Sequence, residues 1–240
     1  MYIFCKTDIG KKRELNEDYV LVFKSPNYSL MIVADGMGGH NGGEVASEIA
    51  STTIKEYIFN NFSKTEDKLE LVRDAIVYAN SVVYKISKEN DNLRGMGTTI
   101  TCCLLLDKRA IIGHVGDSRA YRITDDYIIK VTEDHSFVQQ LINKGTITKE
   151  EAVNHPQKNL ITRAIGVDEY VMVDIVDFEL KDNEIILLCT DGLTNYISEE
   201  EIKEIVLKEK DPIKTLIDTA NERGGADNIS VIVAQKEVGK

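Results

Sequence analysis

Apolar runs of strand length recur along the chain and alternate with more polar segments. Six of them have the length and aliphatic character of buried β-strands. These runs cover residues 30–34, 98–106, 110–115, 171–178, 185–190 and 229–234. The pattern predicts a protein that is rich in β-sheet.

Two long segments in the first half of the chain instead repeat apolar residues at helical spacing. The first carries Ala46, Ile49, Ala50, Thr53, Ile54 and Tyr57, and the second carries Val72, Ala75, Ile76, Ala79, Val83 and Ile86. Two shorter helices are predicted near the end of the chain. Ser198 with Glu201 three residues later forms a capping box, and Asp211 caps a helix that has Pro212 at its first position.

The order of these elements is strands, two consecutive helices, many strands and then mixed elements. It differs from the regular alternation of a parallel α/β sheet, so we predict an α+β layered sandwich of antiparallel sheets covered by helices. No linker or internal repeat divides residues 1–240, which we interpret as one domain. Residues 135–166 are polar, with short helical pieces at 137–142 and from Thr148, and are predicted to form a flap-like excursion from the sheets.

Composition and charge narrow the class of protein. The chain has 240 residues, of which 42% are hydrophobic, and a net charge of −11. An acidic surface argues against nucleic acid as a main partner. No apolar stretch reaches the length of a membrane span, and the early charges differ from those of a signal peptide, so we expect a cytoplasmic protein that has no membrane partner.

The four cysteines form no CxxC pair, and three of them lie inside apolar runs. Buried thiols in a reducing compartment are the favoured interpretation. A zinc or thiol site is therefore not expected.

Four aspartates lie at the ends of the predicted strands. Asp35 and Asp191 directly follow apolar runs, Asp117 follows a run that ends in glycine, and Asp227 precedes the last run. In an antiparallel sheet the start of one strand lies beside the end of its neighbour. All four carboxylates can therefore converge at one edge of the sheets.

Carboxylates that crowd together need a countercharge, because like charges at close range otherwise force protonation. Mg²⁺ and Mn²⁺ prefer oxygen ligands, and an all-oxygen site suits two such ions about 3.5–4 Å apart. A glycine after the aspartate allows close backbone approach, and Gly36 is placed to offer its carbonyl oxygen.

Each of these features also has an ordinary interpretation. A single Asp-Gly after a strand is typical of a turn, and Lys11-Lys12-Arg13 alone is typical of a solvated basic patch. The glycine-rich residues 35–43 lack the patterns of nucleotide-binding loops. The functional prediction depends on the joint occurrence and order of the motifs.

Six ordered motifs together resemble the metal-dependent protein phosphatase family, often called protein phosphatase type 2C. They are TDIG with Arg13 and NED within residues 7–18, DGMGGH at 35–40, GTT at 97–99, GDSRAY at 116–121, TDGL at 190–193 and GADN at 225–228. The resemblance covers essentially the whole chain, and Met37 is typical of the prokaryotic branch.

The resemblance implies a four-layer α-β-β-α sandwich of two antiparallel sheets flanked by helices, with two Mn²⁺ or Mg²⁺ ions at one end and a weaker third ion. The implied metal ligands are Asp18, Asp35, the carbonyl of Gly36, Asp117, Asp191 and Asp227. Asp35 is implied to bridge both ions, and Asp117 with Asp191 to hold the third. Glu17 is a further candidate, and Arg13 matches the arginine that holds the substrate phosphate through its fork of donors.

By the same resemblance, the activity is that of a protein serine/threonine phosphatase in which a metal-bridging hydroxide attacks phosphorus in line. Many eukaryotic members have a histidine general acid where this chain has Met37, which cannot donate a proton. The nearby His40 is interpreted as a local structural residue in preference to the acid, and a metal-bound water is the alternative donor. The implied partners are phosphorylated proteins made by a cognate serine/threonine kinase, and a monomer is expected. His135, His155 and Arg163 in the flap are interpreted as structural or substrate-contacting residues, with the structural role favoured.

Two rival functions share these motifs. One is a regulatory binding protein that has lost catalysis, and the other is a phosphoesterase of small molecules. Acidic residues remain at every implied position for a carboxylate ligand, which favours an active enzyme.

Overall fold

In the computed structural model of the protein, residues 1–38 and 42–235 are described. Their eleven strands are β1 (Tyr2–Asp8), β2 (Asp18–Lys24), β3 (Ser29–Met37), β4 (Gly97–Thr98), β5 (Ile100–Leu105), β6 (Arg109–Val115), β7 (Arg119–Ile123), β8 (Ile128–Lys130), β9 (Asp174–Glu179), β10 (Ile185–Cys189) and β11 (Ile229–Gln235). Their seven α-helices are α1 (Gly43–Asn61), α2 (Lys68–Glu89), α3 (Phe137–Asn143), α4 (Lys149–Val153), α5 (Asp191–Thr194), α6 (Glu199–Lys208) and α7 (Pro212–Glu222). A short 3-10 helix follows α2 at Asp91–Leu93.

The strands form two sheets. One has the order β1-β11-β10-β7-β8, and the other has the order β2-β3-β5-β6-β9 with β4 paired to the end of β3. Neighbouring strands are antiparallel in both sheets. The predicted α+β class with two antiparallel sheets is therefore confirmed.

Three apolar layers hold the sheets and helices together. On β3, Leu30 and Ile32 point to the layer under α1 and α2, whereas Met31 and Val33 point to the layer between the sheets. This alternation follows from the two-residue period of a strand. A third layer packs the other sheet against α5, α6 and α7, which completes an α-β-β-α sandwich.

The helix ends follow the expected capping chemistry with one exception. Asp211 accepts a hydrogen bond from the backbone N of Lys214 at 3.1 Å and Pro212 opens α7, as predicted. Ser198 Oγ accepts a hydrogen bond from the backbone N of Glu201 at 3.3 Å. The Glu201 carboxylate, however, pairs with Arg223 and does not accept a hydrogen bond from the backbone N of Ser198. The predicted capping box at this helix is therefore only half formed, because a longer-range ion pair takes its carboxylate.

Two strand boundaries differ from the prediction. β3 continues through Asp35 and Gly36 to Met37 because β4 pairs with its end, so Asp35 lies inside a strand and does not follow one. β9 begins at Asp174, three residues later than expected, and within the part that does not pair the carbonyl oxygen of Met172 is bound by Arg163 NH1 at 3.2 Å.

Residues 135–166 lie outside both sheets and contain α3 and α4. A single-residue bridge between Ser136 and Ile161 closes the excursion on itself, and a second bridge between Thr98 and Ile165 fastens it to the body of the protein. None of the helices in the described parts of the chain combines the length and apolar character that a membrane crossing requires.

Candidate active site

The strand register brings the predicted aspartates to one end of the sandwich. Asp18 opens β2 and is the direct cross-strand partner of Asp35 on β3. Asp117 lies in the turn between β6 and β7, Asp191 starts α5 two residues after the end of β10, and Asp227 lies two residues before β11. Antiparallel pairing makes this convergence possible, since strand starts and strand ends alternate along one edge.

These residues surround a cavity of about 540 Å³. The predicted site residues that line it are Arg13, Asp35, Gly36, Asp117, Asp191 and Asp227, and Glu17 lies among them. Asp18 is 7% exposed and lies beneath the cavity, where its Oδ2 accepts hydrogen bonds from Thr190 Oγ1 at 2.8 Å and Ser230 Oγ at 2.7 Å.

Burial and mutual repulsion shift the titration of the carboxyl groups. Burial, reinforced by the negative charges of its aspartate neighbours, raises the pKa of Asp35 well above its ordinary value. Burial raises the pKa of Asp18 to about 7, although two hydroxyl groups oppose the shift. Burial and the charge of Asp191 raise the pKa of Asp117 to about 7. These carboxylates therefore need an added countercharge to be ionised together at neutral pH.

The donor set suits a hard divalent cation. The Oδ1 atoms of Asp18 and Asp191 are buried, yet neither has a hydrogen-bond partner among the described residues. Buried polar oxygens without partners are costly, and an ion that accepts oxygen ligands would remove that cost.

In this structure the carboxylates are not arranged with the geometry of a complete metal-coordination site. Within residues 1–38 and 42–235, no group of three or more His, Cys, Asp or Glu side chains is arranged to hold an ion. Some of their oxygens are already engaged, since Arg13 NH2 lies 2.9 Å from both carboxylate oxygens of Asp227 and hydroxyl groups hold Asp18. The acidic side chains would have to exchange these partners for an ion.

Gly36 occupies a position that has no space for a side chain. A Cβ atom there would lie 2.1 Å from the carbonyl oxygen of Gly43, at the start of α1, and 2.6 Å from that of Glu17. The backbone N of Gly36 also donates to Glu17 O at 3.1 Å. Close packing, and not an unusual backbone angle, explains the glycine.

Hydroxyl groups that the sequence analysis missed support the carboxylates. Thr99 Oγ1 accepts from the backbone N of Asp35 at 2.9 Å and contacts Ser118 Oγ at 2.7 Å. Thr99, Ser118 and Thr190 lie inside the GTT, GDSRAY and TDGL motifs, which was an available signal, whereas Ser230 lies in an apolar strand and had none.

The flap contributes a wall of the cavity through Asn159 and Ile161, which the sequence analysis also missed. His135 is buried, and its Nδ1 accepts from the backbone N of Gly116 at 2.9 Å. Arg163 NH1 donates to the Asp174 carboxylate at 2.7 Å. These contacts support the structural interpretation of the flap residues.

Met37 stands where many eukaryotic members have a histidine acid, and His40 is the nearby histidine. Met37 lines the cavity. His40 lies outside the described residues.

Comparison with known proteins agrees with this geometry. A family profile described as Protein phosphatase 2C matches residues 9–232. The serine/threonine phosphatase stp of Listeria monocytogenes is 36% identical over 244 residues, which cover 99% of this chain and 97% of the Listeria protein. The similarity therefore extends over the whole described site.

Solved structures show the same architecture. Serine/threonine phosphatase Stp1 from Staphylococcus aureus is 37% identical and superposes with a TM-score of 0.90 over 98% of this chain and 94% of that one. The catalytic domain of the serine/threonine protein phosphatase PstP, crystallised in complex with two manganese ions, is 34% identical, with a TM-score of 0.85 over 98% of this chain and 97% of that one.

The sandwich, the acidic cavity and these similarities define the class of the protein, a phosphoprotein phosphatase that acts on serine and threonine. The chain belongs to the protein phosphatase 2C family. The predictions of family, fold class and enzyme activity are thereby confirmed.

Proposed function

We propose that this chain removes phosphate from phosphoserine and phosphothreonine in proteins by using divalent cations held in the acidic cavity. The observation that carries the proposal is the convergence of the aspartates at one end of the sandwich, two of which have a buried carboxylate oxygen without a partner among the described residues. Asp18, Asp35, the Gly36 carbonyl, Asp191 and Asp227 are the proposed ligands of two ions, and Asp117 with Asp191 of a weaker third.

Mn²⁺ and Mg²⁺ both suit such an oxygen site, and the two manganese ions of the PstP complex support Mn²⁺. When bound, such ions supply Lewis acidity and positive charge to the phosphoryl group and to water. The remaining steps depend on the side chains of this chain.

Arg13 is the proposed ligand of the substrate phosphate. It lines the cavity, and its guanidinium already binds an anion there, since NH2 lies 2.9 Å from the Asp227 carboxylate. A planar fork of donors can exchange a carboxylate for phosphate oxygens without a change of shape. Arg13 would thereby orient the phosphoryl group toward the end of the cavity where the aspartates lie.

No cysteine is needed as a nucleophile. Cys102 and Cys189 are buried, and burial raises the pKa of each thiol to about 12, which keeps both protonated at neutral pH. Among the described residues that line the cavity, none is a histidine. The leaving oxygen is therefore proposed to take its proton from water or from His40.

We further propose that residues 1–240 act as one domain, with 135–166 as a flap beside the substrate. The chain is proposed to work in the cytoplasm as a monomer, on proteins phosphorylated by a cognate serine/threonine kinase. The retained carboxylates speak against the binding-protein alternative, because buried like charges are costly where no cation compensates them.

The direct test is phosphate release from a phosphothreonine peptide, in Mn²⁺ and in excess EDTA. We expect release in Mn²⁺ and its loss in EDTA, with recovery when the metal is restored. Full activity in EDTA would overturn the proposed mechanism, and an absence of release with every divalent cation would favour the binding-protein alternative. A small phosphate ester assayed in parallel distinguishes a phosphoesterase of small molecules.

A further inference from the structure

One buried amide, Asn228, ties together the connection between β1 and β2 that carries Arg13. Its Nδ2 donates to the carbonyl oxygens of Ile9 at 2.9 Å and Leu15 at 3.0 Å. Its Oδ1 accepts from the backbone N of Glu17 at 2.9 Å. Both N–H groups of the amide and one oxygen lone pair are thereby committed to this connection.

The orientation and the identity of the amide follow from its partners. Two carbonyl acceptors on one side and one N–H donor on the other allow only this placement of nitrogen and oxygen. Asn228 is 4% exposed, so water cannot readily replace its bonds. Aspartate lacks both donors, and glutamine is one methylene longer, so asparagine is the side chain that fits.

The loop of residues 9–15 also rests directly on the segment that carries Asp227. The backbone N of Lys11 donates to the carbonyl of Gly225 at 2.7 Å. Gly10 has a φ of 80°, and a Cβ on it would lie 2.2 Å from the carbonyl oxygen of Asp227. The base of the loop is therefore fixed, and Arg13 projects from its middle into the cavity.

We propose that Asn228 is a positioning residue for Arg13. By closing residues 9–15 into a fixed ring, it holds the guanidinium where the substrate phosphate binds. The inference rests on the proposed phosphate-binding role of Arg13. If the loop were not fastened, substrate binding would have to order it, and that entropic cost would raise KM and weaken phosphate affinity without changing the chemical step.

A second asparagine supplies a matched control. Asn80 is 1% exposed, and its Nδ2 donates to the carbonyls of Asp168 at 3.0 Å and Glu169 at 3.1 Å. Its Oδ1 accepts from the backbone N of Gly166 at 2.8 Å. It makes the same kinds of bond as Asn228, but it fastens residues 166–169 at the end of the flap, none of which lines the cavity.

The experiment compares Asn228→Ala, Asn80→Ala, Arg13→Ala and the double variant of Arg13 and Asn228. The measurements are kcat and KM for para-nitrophenyl phosphate, the inhibition constant of inorganic phosphate, and calorimetric phosphate affinity. All are made at saturating Mn²⁺, with Mn²⁺ affinity measured for each variant, so that an effect passing through Asp18 is separated from one on Arg13.

For Asn228→Ala we expect KM and the phosphate inhibition constant to rise about tenfold, with kcat changed less than about twofold. The double variant should bind phosphate no more weakly than Arg13→Ala alone, because both substitutions remove the same interaction. Asn80→Ala should lower thermal stability by a similar amount and leave phosphate affinity unchanged.

Unchanged KM and phosphate affinity in Asn228→Ala, or full additivity in the double variant, would overturn the inference while Arg13 keeps its proposed role. Unchanged KM in Arg13→Ala would instead refute the proposed role of Arg13, and the inference with it. If Asn228→Ala does not fold, Asn228→Ser provides one hydroxyl group in place of the amide and should raise KM by an intermediate factor. Wild-type phosphate affinity in that folded variant would contradict the inference.

Discussion

Two buried carboxylates, those of Asp134 and Asp18, have opposite electrostatic surroundings. Asp134 is 8% exposed and is bound by Arg119, whose NH2 lies 2.7 Å away, and by Lys130 at 3.1 Å. Although burial raises the pKa of Asp134, these cations outweigh it and hold the pKa below its ordinary value. Asp18 is equally buried but is bound only by hydroxyl groups, and its pKa rises to about 7.

The difference shows where the fold provides its own countercharge and where it does not. A carboxylate that is paired with arginine and lysine has its charge compensated by the protein and needs no bound ion. Ionised carboxylates that lack a cationic partner are unfavourable in the metal-free protein and become favourable when a divalent cation binds. Substitutions in the two groups should therefore have opposite effects on stability and on activity.

The largest expected effect is that of Asp35→Asn. Loss of the central carboxylate should lower kcat/KM by about a thousandfold, equivalent to about 4 kcal/mol of transition-state stabilisation. The metal-free variant should be at least as stable as the metal-free wild type, because the substitution removes a carboxyl group that neighbouring aspartates repel when it is ionised. Kinetics on a phosphothreonine peptide and thermal unfolding in EDTA check both expectations. A variant that is active but unfolds at a lower temperature than the wild type in EDTA would contradict the account.

Arg119→Leu should produce the reverse pattern. It leaves Asp134 buried without its main partner, which typically costs about 3 kcal/mol of folding stability. Urea denaturation of the metal-free protein measures this loss. Arg109→Leu is the matched control, since Arg109 pairs bidentately with Asp177 at 2.7 Å but in an exposed position, and it should cost less than about 1 kcal/mol. Equal losses in the two variants would refute the comparison.

Thr190→Val should have a smaller and more specific effect. The hydroxyl bonded to Asp18 is lost, so the carboxylate is no longer oriented, and Mn²⁺ affinity should fall about tenfold. Mn²⁺ titration by calorimetry measures the change. Thr52→Val, whose hydroxyl binds only the backbone of its own helix, should leave the affinity unchanged. Tight wild-type binding in Thr190→Val would show that the hydroxyl does not orient a ligand.

A further expected effect is a pH dependence of stability in the metal-free protein. The folded-state pKa values of Asp18 and Asp117 are about 7, above the value of 3.8 for an unperturbed aspartate. Their protonated forms favour the folded state, so stability is highest below about pH 4 with respect to these groups and falls as the pH rises through 7. Melting temperatures in EDTA should therefore fall as the pH rises from about 4 to 7 and level off above pH 7. Saturating Mn²⁺ should abolish the drop, and a rise with pH in EDTA would contradict the assignment.

Local sequence signals predicted part of this site. Asp117, Asp191 and Asp227 follow or precede apolar runs, and this simple pattern placed them at one edge of the sheets. Asp18 was reached only through the family resemblance, because its position opposite Asp35 depends on the register of β2 and β3. Register is set by pairing between distant segments and leaves no local pattern.

The interior position of Asp35 and the hydroxyl of Ser230 were missed for the same reason. The end of β3 is extended because Gly36 and Met37 pair with the two residues of β4, which are distant in sequence. The hydroxyl of Ser230 binds Asp18, a residue 212 positions earlier in the chain. The helical and sheet layers were easier to predict, since a repeating apolar face reports burial directly. Contacts made by single polar groups have no such period.

The central claim is that the aspartates of the cavity form a divalent-cation site, and calorimetric titration of the metal-free protein with Mn²⁺ tests it most directly. The account predicts that two ions bind per chain in the wild type, and that Asp35→Asn loses at least one of them while Asp177→Asn loses none. A wild-type protein that binds no Mn²⁺, or an Asp35→Asn variant with unchanged stoichiometry and affinity, would contradict it.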